Sequence, residues 1–148
     1  MNFAAHYTTI VDFATPAYAN TIGLRHKILK KPLGIDFHME DIRQEYRDIH
    51  LAYYNEHAAL LACLVLVDLG GRRIKMRQVA VDTPFQRMGI GRRLVMASEI
   101  WAKHQGFLVM ELNARESAQV FYDQLAYRKV GAPFIEVDLP HFKMEKRL

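Results

Sequence analysis

The chain has 148 residues, 51% apolar and 24% charged, with a formal net charge of +4. That is about one domain's length with ample material for one packed core, which excludes a disordered chain. The mild basic excess favours anionic partners but lacks the dense basic stripe of a nucleic-acid footprint, and the longest apolar run, residues 58–67, is about half of a membrane span.

The start, MNFAAHYTTIVDF, lacks the basic and long apolar segments of a secretory signal, so a cytoplasmic protein without membrane or nucleic-acid partners is expected. YTTIVDFAT (7–15) reads as a strand. Thr15 followed by Pro16 is a helix start, a hydroxyl cap before proline at the first helical position. Tyr18, Ile22, Ile28 and Leu29 give that helix an apolar face, Lys30 and Lys31 suit its negative end, and Pro32 stops it. Residues 32–41 read as a loop and 41–49 as a short helix. HLAYYN (50–55), ALLACLVLVD (59–68) and IKMRQVAVD (74–82) are three strands joined by short turns, the second at Gly70–Gly71, which implies an antiparallel meander. The single cysteine, Cys63, lies within the second of these and is expected as a buried small hydrophobe.

A long helix follows TPFQRMGIG, with Ile90, Leu94, Ala97 and Trp101 at helical spacing, Lys103 and His104 in its last turn, and Gly106 as its stop. FLVMELNA (107–114) is an apolar strand, so strand, helix and strand form a right-handed crossover. A second helix is expected over 116–127, and RKVGAPFIEVD with HFKMEKRL forms a closing strand pair.

The stretch QRMGIGRR (86–93) carries the chemistry. It has no Lys–Ser/Thr pair after the glycines and only two glycines, Gly89 and Gly91, so it is neither a P-loop nor the dinucleotide fingerprint. It does lie between a strand and a helix, where backbone N–H groups are unpaired and the helix dipole is positive. Arg92 and Arg93 in the first helical turn oppose that dipole unless an anion binds there.

VAVDTPFQRMGIGRRL resembles the acyl-CoA signature of the GNAT N-acetyltransferase superfamily, [RQ]-x-x-G-x-[GA] after a valine-rich strand. LNARESAQVFYDQLAY is similar to the family's asparagine after the next strand and its Phe-Tyr helix, with Ala126–Tyr127 where Gly–Phe is common. The central half of the chain carries these motifs; the first 50 residues match only in the order of elements. The resemblance implies one acyl-CoA-binding N-acetyltransferase domain over 1–148. Its α/β fold would be a mixed, mostly antiparallel sheet with a parallel strand pair at its centre and helices on both faces.

The resemblance also implies a set of site residues. The coenzyme A pyrophosphate would sit on the loop Gln86, Arg87, Met88, Gly89, Ile90, Gly91 and Arg92, and the pantetheine arm would run along Val79, Ala80 and Val81. Asn113 would bond that arm or cap the following helix. Tyr122 would protonate the departing thiolate, its ring at the edge of an Ala118, Phe121, Leu125 stripe, and a strand amide beside Val81 would stabilise the oxyanion. His141 is the first choice of general base because histidine titrates near neutrality; a water, Glu111, Glu136 and Asp138 are alternatives. Arg25 and Asp36 near the first loop, and Glu136 with His141 near the last turn, are expected to meet the acceptor.

The implied function is transfer of an acetyl group from acetyl-CoA, as co-substrate, to a primary amine of a small molecule or peptide by direct attack. A homodimer is compatible. The histidines show no zinc-ligand spacing, so no metal is expected. The alternatives are a non-catalytic acyl-CoA-binding module and, more distantly, a small nucleic-acid binder.

Overall fold

The structure is a computed structural model and describes residues 3–148. Its eight strands form one sheet in the order β1-β2-β3-β4-β5-β8-β6, with β7 pairing on β8. β1 (Tyr7–Val11), β2 (Ile49–Tyr54), β3 (Leu60–Gly70) and β4 (Arg73–Val81) form the expected antiparallel meander. The two-residue turn between β3 and β4 is Gly71–Arg72, one position later than the sequence suggests, with φ of 59° and 61° as a type I′ hairpin requires.

β4 and β5 (Val109–Arg115) are the parallel pair at the centre of the sheet, linked by α3 (Ile90–His104). Gly106 ends α3 as expected: its φ is 91°, its N–H donates to Lys103 O, and Phe107 N–H reaches Ala102 O. The chain closes through α4 (Gln119–Asp123), β6 (Arg128–Lys129), β7 (Phe134–Glu136) and β8 (Leu139–Arg147).

Two apolar layers cover the sheet. The larger one packs Leu51, Leu64, Leu66, Ile74, Met76, Met110 and Leu112 beneath Ile90, Leu94 and Val95 of α3. The other face packs beneath α1 (Pro16–Arg25), with Leu24 on Cys63 and Ala80, and Tyr18 on Val11 and Ala52. Thr15 caps α1 by accepting from Tyr18 N–H. The helix continues through a π turn (His26–Lys30) and a 3-10 turn (Lys31–Leu33) before α2 (Met39–Gln44).

Three local expectations are corrected. The buried face of α3 is Ile90, Leu94, Val95, Ser98 and Ala102, with Trp101 only half-buried, because the helix sits across β2, β3 and β4 and not along one groove. The helix expected over 116–127 is a 3-10 turn (Glu116–Ala118) and then the short α4. It stops because Ala126 adopts φ of 71°, with Ala126 N–H on Asp123 O and Tyr127 N–H on Tyr122 O, the glycine-type ending formed by an alanine. The first strand ends at Val11, leaving residues 12–15 as the turn that presents the Thr15 cap.

Candidate active site

The site begins with one extra residue in β4. Between the pairs Val65↔Arg77 and Cys63↔Ala80, Leu64 of β3 faces two residues of β4, Gln78 and Val79, and Gln78 takes φ of 52°. A bulge of this kind bends its strand and reverses the side-chain alternation. Ile74 and Met76 face the α3 layer before it, and Val79 and Val81 do so after it, while Ala80 turns to the α1 layer. The parallel pairing of β4 with β5 ends at Met76↔Leu112, just before the bulge. β5 then pairs only with β8 as far as Arg115, and a cleft opens between the two central strands.

The bulge is braced from beneath. Arg25 is 1% exposed and donates from Nε to Gln78 Oε1 (2.6 Å) and from its two terminal nitrogens to Glu45 (2.9 and 2.6 Å). Tyr18 donates to the same carboxylate at 2.6 Å. Burial raises the Glu45 carboxyl, but the Arg25 and Tyr18 hydrogen bonds outweigh it and hold the group below the ordinary carboxylate value. Arg25 therefore belongs to the packing of the fold; it does not line the cleft, which corrects its expected place beside the acceptor. Asp36 is exposed and pairs with His26 at 2.9 Å.

Two cavities meet in the cleft. One, about 590 Å³ on the α3 side, is lined by Val79, Val81, Gln86, Arg87, Gly89, Gly91 and Arg92, with Phe121 and Tyr122 across from them. The other, about 480 Å³ on the α1 side, is lined by Asn113, Glu136 and His141 and by residues following α1. Val79, Ala118 and Tyr122 line both, so the junction of the two lies at these side chains.

On the α3 side, Asp82 N–H donates to Leu61 O at 2.8 Å, so strand alternation turns the N–H and C=O of Val81 toward the cleft. There the Val81 carbonyl accepts from the Gln86 side chain at 2.9 Å, which ties the loop to the strand. Gly89 caps α3 with φ of 82°, and the N–H groups of the first turn lack intrahelical partners by geometry. Gly91 lies against Val81 and Phe121: an added Cβ would be 3.4 and 3.5 Å from them.

The loop's side chains divide. Arg87 and Arg92 line the cavity, whereas Met88 is 45% exposed outside it and Ile90 is buried in the core. Arg93, also expected to await an anion, is committed elsewhere: its Nε donates to Tyr53 Oη at 3.0 Å and its guanidinium lies 4.4 Å from the Phe3 ring centroid.

Tyr122 is more buried than the Phe121 beside it, which corrects its expected place at the stripe's edge. Burial raises its phenol well above the ordinary value, and its hydroxyl has no hydrogen-bond partner among the described residues. Asn113 lines the α1-side cavity and does not cap the following turn, whose cap is Arg115 without a side-chain bond.

His141 is buried, not at the surface as a histidine beside proline suggests. Its Nδ1 lies 2.8 Å from Leu139 O. A carbonyl only accepts, so that nitrogen carries the proton and Nε2 faces Glu136 at 3.5 Å. Glu111, by contrast, is engaged by Arg73 (3.1 Å) and Lys143 (3.6 Å) outside either cavity, and Asp138 is exposed in the β7–β8 turn.

Sequence reasoning missed the cationic lining of the α1-side cavity: Lys30, Lys75, Arg77 and Arg115. A signal existed in IKMR, where two cations alternate on one face of an otherwise apolar strand.

A sequence model of the acetyltransferase (GNAT) domain matches residues 36–148. The chain belongs to the GNAT acetyltransferase family. This GNAT chain is similar to a provisionally assigned acetyltransferase of Bacillus subtilis (strain 168), 26% identical over 98 residues, which are 66% of this chain and 65% of the relative's length. Among solved structures it resembles a provisionally assigned N-acetyltransferase of Lactobacillus plantarum, 26% identical, with a TM-score of 0.87 over 97% of this chain and 99% of the other. An aminoglycoside 6'-N-acetyltransferase complexed with coenzyme A shares the fold at 16% identity and a TM-score of 0.77, over 95% of this chain and 96% of that one. No helix among the described residues is long and apolar enough to cross a membrane.

Proposed function

We propose that this chain transfers the acetyl group of acetyl-CoA to a primary amine of a small molecule or peptide by direct attack. The observation that carries the reading is the pair of cavities joined at Val79, Ala118 and Tyr122: one ends at a positive helix N-terminus and the other at His141 and Glu136. The residues of the α3 side fit coenzyme A. Unpaired N–H groups of the α3 first turn, with Arg87 and Arg92, suit a pyrophosphate, and the outward backbone of Val79 and Val81 suits an amide-bearing arm added as an edge strand.

Acetyl-CoA would supply the activated thioester. His141 Nε2 would take the amine proton, and Glu136 at 3.5 Å would steady the resulting imidazolium. The Val81 N–H would donate to the acetyl oxygen as negative charge grows there. Tyr122, kept protonated by its burial, would give its proton to the departing sulfur. The N–C bond forms, the C–S bond breaks, and solvent would carry the proton from the His141 imidazolium back to the Tyr122 phenolate.

The test is thiol release from acetyl-CoA with a library of primary amines, repeated with Tyr122→Phe and His141→Ala. Turnover of at least one amine is expected, with kcat reduced in both variants and coenzyme A binding retained. Coenzyme A binding without product from any amine would sink this reading and favour a non-catalytic acyl-CoA-binding module.

A further inference from the structure

The α1-side cavity is lined by Lys30, Lys75, Arg77 and Arg115, and Glu136 is the only carboxylate that lines it among the described residues. None of these four cations forms a contact ion pair among the described residues, although Asp41 and Asp48 act at longer range on Lys30 and Arg77. Arg115 donates only to Leu29 O, at 3.3 Å, and Lys30 lies 5.1 Å from the Phe37 ring centroid. The charges repel one another: burial, then Arg77 and Arg25, push the Lys30 amine below its ordinary value, against a smaller opposing pull from Asp41. Like charges that outnumber the carboxylates of a partly desolvated cleft cost free energy that a bound anion would return.

Coenzyme A does not account for this charge. Its anionic groups fit the α3-side loop, and no loop residue lines the α1-side cavity. Glu136 and His141 share that cavity with the cations, so it offers partners to an ammonium as well as to an anion.

We propose that the acceptor is a small amine that also carries a carboxylate or a phosphate, the anion bound by Arg77, Lys75 and their cationic neighbours and the amine turned toward Glu136 and His141. Two arginines and two lysines suit either oxyanion, since guanidinium forks and ammonium donors recognise both. Polycationic amines are excluded by the same charges. The amine half of this inference rests on the transfer reaction proposed above; the anion half does not.

The experiment is calorimetric titration of the full chain, saturated with coenzyme A, using four probes: β-alanine, O-phosphoethanolamine, 3-aminopropan-1-ol and propane-1,3-diamine. At least one anionic amine is expected to bind about tenfold or more tighter than the neutral one, with weakening in added salt. The better of the two anionic probes distinguishes carboxylate from phosphate. Arg77→Gln, at an exposed position, is expected to erase the preference and Arg77→Lys to restore part of it, with melting temperature confirming the fold. Equal binding of all four, no binding, or preference for the neutral or dicationic probe overturns the inference. If anionic amines bind in this pattern but no acetyl transfer is seen, the anion site stands and the reaction falls.

Discussion

Gly89, the N-cap of α3, and Gly91, in its first turn, sit two residues apart, and the structure gives them opposite reasons for being glycine. Gly89 holds φ of 82°, and a Cβ built there meets nothing within 4 Å. Gly89→Ala is therefore pure backbone strain, about 1 kcal/mol, or a fall in Tm of roughly 2–4 °C for a chain of this size. Gly91 has ordinary helical backbone, and its added methyl would make van der Waals contact with Val81 and Phe121 at 3.4 and 3.5 Å. Gly91→Ala removes the entropic cost of a helical glycine, about 0.5–1 kcal/mol, so its Tm should hold or rise. A longer side chain would enter the gap between Val81 and Phe121, both of which line the α3-side cavity. Gly91→Leu should thus stay folded yet bind coenzyme A about tenfold or more weakly, the usual scale of overpacking. Thermal melts with and without coenzyme A, plus a direct titration, read all three variants. The reasoning is refuted if Gly91→Ala lowers Tm as far as Gly89→Ala, or if Gly91→Leu binds with wild-type affinity.

Ala126 holds φ of 71° at the end of α4, so Ala126→Gly should raise stability by about 0.5–1 kcal/mol in denaturant unfolding. Glu45→Ala strands the buried Arg25 charge and should cost about 3–5 kcal/mol by the same measurement. Because the folded-state Glu45 carboxyl is lowered, its contribution is present above the ordinary carboxylate value and lost as pH falls through the lowered one. Wild-type stability should therefore drop on acidification more steeply than that of Glu45→Gln, and parallel acid profiles would count against the pairing. The Cys63 thiol, pushed up to about 12 by burial, should react with a thiol reagent only after denaturant unfolding.

Signals confined to a few neighbouring residues were legible in the sequence. Thr15–Pro16, Gly106 and the loop around Gly89 act through their own backbone, so type and position coincide in the chain. The order of strands and the central parallel pair followed from turn spacing and the crossover. What stayed hidden depends on partners distant in sequence. Gln78 adopts a positive φ without being glycine because β3 sets its register and Arg25, 53 residues away, holds its side chain. Arg93 looks like a neighbour of Arg92 until Tyr53 and Phe3 claim it. The cations of the α1-side cavity come from three separate segments, and only the Lys75–Arg77 pair leaves a mark in one of them.

The extra residue at 78 makes counting matter in β4. Lys75 and Arg77 stand on one side of the sheet and Val79 and Val81 on the other only because the strand miscounts once between them. Removing one residue there would restore a regular ladder, turning the valines toward α1 and Ala80 toward α3. Lineages carrying this fold can therefore exchange side chains along the strand far more readily than they can gain or lose a residue. Related sequences should show substitutions at 75 and 77 but an unchanged spacing from Arg73 to Gly89.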